Sequence, residues 1–144
     1  MQYLVDVNVW IAVLVVSHVH HPSANRWLNS VNKEDELLFC RITQQGVLRL
    51  LTNARVMRDD IMDAKTAWEN YDSLRVAIGA SFAEEPRGLE NEWRQLTRRA
   101  GTGPNFWTDA YLAAFALATG STVVTFDTTF PQHRGLKTHI LATK

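Results

Sequence analysis

Three aspartates stand where an acid is costly. Asp6 follows the apolar run Tyr3-Leu4-Val5, Asp127 follows Thr122-Val-Val-Thr-Phe126, and Asp109 precedes the almost continuously apolar stretch from Ala110 to Ala118. Burial beside apolar neighbours disfavours a charged carboxylate unless a cation or donors compensate. Taken singly, two of these acids have ordinary explanations. Asp109 can stabilise a helix N-terminus through its dipole and capping, and Asp127 can be a turn residue after a strand. Together they point further. The Asp109 helix leads directly into the Asp127 strand, which can neighbour the Asp6 strand at a switch point, so three carboxylates are expected to converge. Converging carboxylates repel unless a hard cation sits between them, and oxygen-only ligands suit Mg²⁺, with Mn²⁺ as a substitute, better than zinc. Such an ion polarises a phosphodiester, activates water near neutral pH and steadies the departing oxygen. Phosphodiester hydrolysis is therefore the chemistry this set predicts.

The elements that must position these acids follow from the hydrophobic pattern. Gln2 to Val5 reads as a buried strand and Val7 to Val16 as a helix, and Pro22-Ser23 opens a second amphipathic helix from Ala24 to Val31. Leu37 to Cys40 reads as the next strand, after which Thr43 can cap a helix through Val47, Leu48 and Leu51. Ala64, Ala67, Trp68 and Tyr71 mark a helix ending near Leu74, and Val76 to Ala80 is expected to form a third strand. A helix from Glu90 to Arg99 is broken by Gly101-Thr-Gly-Pro104. Asn105 or Thr108 can cap the apolar helix that Gly120 stops. Ser121 to Phe126 and His139 to Leu141 complete the strands. Strands alternating with helices predict a three-layer α/β/α fold around a mostly parallel sheet of five strands.

Length and composition agree with one compact domain over residues 1–144, with 46% hydrophobic and 21% charged residues. Lys plus Arg and Asp plus Glu both number 15, so any attraction to nucleic acid must come from local basic patches. Cys40 is the only cysteine, which excludes a disulfide framework and is expected to pack as a small buried hydrophobe. The apolar start Tyr3-Leu4-Val5 is interrupted by Asp6 and Asn8 without a basic n-region and small-residue cleavage site around it, so secretion is not expected, and no apolar run approaches the ~20 residues of a membrane span. The cytoplasm is the expected location.

Further polar residues surround the acids. The Thr125 hydroxyl can orient a metal-bound water or Asp127, or merely fill a strand position, and Asn105 can contact a carboxylate or cap or turn the chain. Arg49 can anchor a phosphate or lie on the surface over its aliphatic stem. Arg41, Arg49, Arg55 and Arg58, or alternatively Arg94, Arg98 and Arg99, can flank an RNA path, with bases stacked on Trp10 or Trp107. His18, His20 and His21 lie in a polar stretch without other soft ligands and are expected to face solvent.

Three segments resemble the PIN-domain nucleases, specifically the VapC-type toxins: Leu4-Val-Asp6-Val-Asn8-Val-Trp-Ile, Asn105-Phe-Trp-Thr-Asp109-Ala-Tyr-Leu and Thr122-Val-Val-Thr125-Phe-Asp127-Thr-Thr-Phe130. The resemblance implies that Asp6, Asp109 and Asp127 bind metal and cleave RNA such as tRNA or ribosomal RNA, and that Asn8 assists Asp6. It further implies a homodimer and a small VapB-like antitoxin covering the acidic rim, with an arginine among the carboxylates. The family commonly carries another acid in the helix represented by Ile42-Thr-Gln44-Gln45-Gly-Val-Leu-Arg49. Aligned there, Gln44 adds no charge and can only contact water, which predicts one ion, or a second held chiefly through water or substrate. Two other classes compete. An acidic-site phosphatase or phosphorylated receiver is disfavoured because Asn8 stands where such a phosphatase has its second aspartate, and because receivers pair acids after their first strand. A non-catalytic PIN-like binding module would accommodate the missing acid.

Overall fold

The computed structural model describes residues 1–98 and 101–143. Its strands are β1 (Gln2–Val5), β2 (Glu36–Phe39), β3 (Ser81–Phe82), β4 (Thr122–Thr125) and β5 (Lys137–Ile140), in the order β3-β2-β1-β4-β5 with every pairing parallel. Among the described residues the helices are α1 (Val7–Leu14), α2 (His21–Ser30), α3 (Arg41–Leu51), α4 (Ala54–Met57), α5 (Ala64–Ile78), α6 (Leu89–Leu96) and α7 (Phe106–Thr119).

Alternation along the strands explains the layers, because successive residues point to opposite faces. Leu4, Leu38 and Val123 share one core with α6 and α7, whereas Val5, Phe39 and Val124 share another with α1, α2, α3 and α5. The central strands are buried on both faces, as a parallel sheet requires. Strand order reverses at β1, which β2 and β4 flank, and the C-terminal ends there deliver Asp6 and Asp127 to the same edge.

The expected architecture is observed, with local corrections. Val76 to Ala80 is not a strand. The α5 face built on Ala67, Tyr71 and Leu74 continues to Ile78, and Gly79 ends it with a φ of 65°. The third strand is only Ser81–Phe82, beside Leu38 and Phe39. Helix α2 begins at His21, before the proline, and α3 begins at Arg41 with Cys40 as its cap. Thr43 lies inside that first turn, where its hydroxyl accepts the Cys40 amide at 2.9 Å. Helix α6 closes at Leu96, and Arg99 lies outside the described residues. The short α4 and the 3₁₀ turn Arg58–Asp60 have no counterpart in the sequence pattern.

Cys40 is buried among apolar neighbours, as a small hydrophobe should be. Among the described residues, no helix is long and apolar enough to cross a membrane.

Candidate active site

Asp6 sits at the junction of β1 and α1 with extended backbone, capping the helix by accepting the Val7 amide at 2.7 Å. Its other oxygen accepts the Thr125 hydroxyl at 2.8 Å, across the β1/β4 border. That hydroxyl is a hub: it also accepts the Asn8 side-chain amide at 3.1 Å and the Asp127 backbone amide at 3.0 Å. Asn8 closes the circuit by accepting the Phe126 amide at 3.2 Å. Asp127 in turn accepts the backbone amide and hydroxyl of Thr129 at 2.8 and 2.6 Å. One side of the site is therefore a cross-strand network with most of its polar groups satisfied.

The opposite side is bare. Asp109 lies in the first turn of α7, half-buried, and its carboxylate has no hydrogen-bond partner among the described residues. Burial pushes it up to about 7, and the charges of Asp6 and Asp127 add to the shift. Burial likewise raises Asp6 against the opposing donors Thr125 and Val7, with Asp127 adding to the rise. The three acids thus share one cleft and feel one another's charge. The cleft holds about 320 Å³ and is walled by α3, by the start of α1 and by the Pro104 to Asp109 turn.

Whether a hard cation fits can be judged from the donors. The set is all oxygen, and its net negative charge is left uncompensated at Asp109, which is the environment a divalent cation neutralises. It is not a closed cage. Among the described residues no three His, Cys, Asp or Glu side chains stand close enough to hold an ion together, so water or substrate must complete any coordination.

Helix α3 presents Ile42, Gln45, Gly46 and Arg49 to the cleft, the i, i+3, i+4, i+7 face. Gln44 lies off that face. It is buried in a neighbouring groove between α3 and α5, and its amide oxygen accepts the Arg41 guanidinium. Gly46 also lines the cleft, and a Cβ there would lie 2.5 Å from Val7 Cγ2, so Val7 would have to shift for any side chain at this position. The helical phase of Ile42 and Arg49 was the signal that could have located Gln45 and Gly46. Arg49 is exposed at the cleft rim and makes no ion pair among the described residues. Asn105 occupies the α7 cap position and lines the cleft, but its side chain makes no capping bond. Thr108, considered only as a cap, also lines the cleft.

The aromatic candidates separate. Trp10 is fully buried and stacked on Phe39 at 4.2 Å, so it cannot reach RNA, whereas Trp107 is 61% exposed. His18, His20 and His21 are half-buried rather than solvent-facing, because the His20 ring stacks on Phe126 at 5.0 Å and His21 Nδ1 contacts the Ala12 carbonyl.

Residues 3–136 match the family model of the PIN domain. The chain is 40% identical over 146 residues to Ribonuclease VapC41 of Mycobacterium tuberculosis, covering 96% of this chain and 98% of that protein. It is 30% identical to Ribonuclease VapC38 of the same organism, covering 86% and 84%. Among solved structures, VapBC2 from Rickettsia felis, bound to a DNA fragment from its promoter, superposes with a TM-score of 0.73 at 14% identity, covering 99% and 100%. Mycobacterium tuberculosis VapC20, a sarcin-ricin loop cleaving toxin, superposes with a TM-score of 0.66 at 20% identity, covering 89% and 92%. At these identities the two superpositions establish a shared fold.

Proposed function

This chain belongs to the PIN-domain family, and within it to the VapC ribonucleases, and from that premise we propose that it is the toxin of a toxin–antitoxin pair, a divalent-metal-dependent endoribonuclease cutting structured RNA such as tRNA or ribosomal RNA in the cytoplasm. The observation that carries the proposal is Asp109: a half-buried carboxylate with no donor of its own, facing the same cleft as Asp6 and Asp127.

Mg²⁺, with Mn²⁺ as a substitute, would sit in the cleft that Asp6, Asp109 and Asp127 line, with water or substrate completing its coordination. When bound, it supplies polarisation of the phosphate and neutralisation of charge developing in the transition state. The chain's own residues do the positioning. Thr125 and Val7 aim the Asp6 carboxylate, Asn8 braces Thr125, and Thr129 holds Asp127. Arg49 at the rim can engage a phosphate oxygen through its planar fork, and Asn105 can donate to another. Because α3 lines the cleft with no acidic residue, one protein-held ion is expected, or a second held chiefly through water or substrate phosphate.

A VapB-like antitoxin is the expected partner, a cationic side chain from it neutralising the acidic cleft, and the toxin is expected to form a homodimer. Sequencing RNA 5′ ends after controlled expression tests the activity. Defined new ends should appear with the native chain and vanish with Asp6→Asn. Identical ends from both would reject the proposal. A second reading, a non-catalytic binding module, draws on the absence of a closed ligand cage among the described residues. RNA that stays intact in the presence of Mg²⁺ would favour it.

A further inference from the structure

Near the cleft, on the α6 and α7 side, lies a groove of about 540 Å³ lined by Trp93, Trp107, Glu90, Arg94, Thr97 and Arg98. Trp107 is 61% exposed although a buried indole would be more stable, and it is not loose. Its carbonyl accepts the Trp93 indole N–H at 3.1 Å, and the two rings meet edge to face at 6.1 Å. Trp93 is itself wedged edge-on against Tyr111 at 5.4 Å, and Phe106 supports Trp107 at 5.3 Å. The aromatic surface is therefore pre-organised. Arg94 pairs with Glu90 at 2.9 Å, leaving Arg98 without an ion-pair partner among the described residues, so the groove carries a positive surplus on a chain of zero net charge.

We propose that this groove is the subsite that binds the base of a nucleotide flanking the cut, Trp107 stacking the base and Arg98 contacting its phosphate. The inference rests on the ribonuclease reading. Continuity of position supports it: Trp107 immediately precedes Thr108 and Asp109, which line the cleft, so a strand leaving the cleft need only round the first turn of α7 to reach the indole. A helix is about 10–12 Å across with its side chains, a span within reach of adjacent nucleotides. Single-stranded nucleic acid is bound in just this way, by aromatic faces interleaved with arginine, whereas a peptide anchor would favour an apolar pocket without surplus charge.

The test uses the full chain, total tRNA as the cleavage substrate, and a fluorescein-labelled single-stranded RNA of mixed sequence as the binding probe, read by anisotropy in EDTA. Trp107→Ala should weaken probe binding and raise KM by about tenfold, with kcat nearly unchanged, as expected for losing one stacked base. Trp107→Phe should recover most of the loss, and Arg98→Ala should flatten the salt dependence of binding. Circular dichroism of each variant checks that α7 is intact. Native-like binding and cleavage by Trp107→Ala would overturn the subsite while leaving the ribonuclease reading standing. Trp107-dependent binding by a chain that cuts no RNA would do the reverse. Loss of dimerisation or of antitoxin binding, with RNA binding intact, would identify the groove as a protein interface and also overturn the proposal.

Discussion

The two walls of the cleft are built on opposite plans. The strand wall knots Asp6, Asn8, Thr125 and Asp127 into one network around a fully buried hydroxyl, so its acids are positioned by the fold and contribute to it. The helix wall offers Asp109 without a donor, Gly46 without a side chain and Arg49 without a counter-ion among the described residues. The strand wall is thus expected to carry stability and chemistry together, and the helix wall chemistry alone. Substitutions on the strand wall should damage both, and substitutions on the helix wall should separate them.

The largest effect on stability should come from the hub. Thr125→Val keeps the shape but leaves Asp6, the Asn8 amide and the Asp127 amide short of a partner, and should cost about 2–4 kcal/mol in urea unfolding. A cost below the error of the fit would mean that the wall is not held by this network. Next comes Gly46→Ala, whose Cβ collides with Val7 and should cost about 1–3 kcal/mol, with Val7→Ala relieving the loss in the double variant. Strict additivity of the two changes would show that the close approach does not matter.

The smallest effect is electrostatic and sharpens the contrast. The folded value of Asp109, about 7, exceeds its ordinary 3.8, so the folded chain binds the extra proton. The stability this provides is full below pH 3.8 and is lost as pH rises through about 7. In EDTA, the native chain should therefore melt lower at pH 8 than at pH 5, and Asp109→Asn should raise the pH 8 melting temperature by roughly a few degrees. Part of the slope should persist, because Asp6 is also raised. An Asp109→Asn chain that melts lower than native at pH 8 would place Asp109 in the structural network instead.

The strand wall was legible because its signals are local. An apolar run followed by an acid marked the ends of β1 and β4, and the order of α7 and β4 set the crossover that makes them neighbours. The helix wall depended on rotational phase, which residue types alone do not reveal. Gln44 and Gln45 are equivalent in composition, yet only Gln45 faces the cleft, with Gly46 beside it. Strand β3 escaped for a related reason. Two residues carry no periodicity, and the β-branched Val76 preceding them continues α5 because tertiary packing of that helix outweighs strand propensity. Trp10 and Trp107 show the same limit, since a tryptophan is equally at home in a core and on a platform, and only the fold separates them.

The division between the walls is tested most directly by titrating Mg²⁺ and Mn²⁺ calorimetrically into native and Asp109→Asn protein at pH 7.5, and assaying the same preparations on RNA. The native chain should bind the ion and cut, while Asp109→Asn should remain folded, lose the binding heat and slow cleavage by about a hundredfold or more. A folded Asp109→Asn chain that binds the ion and cuts RNA at the native rate would contradict the assignment of chemistry to the helix wall.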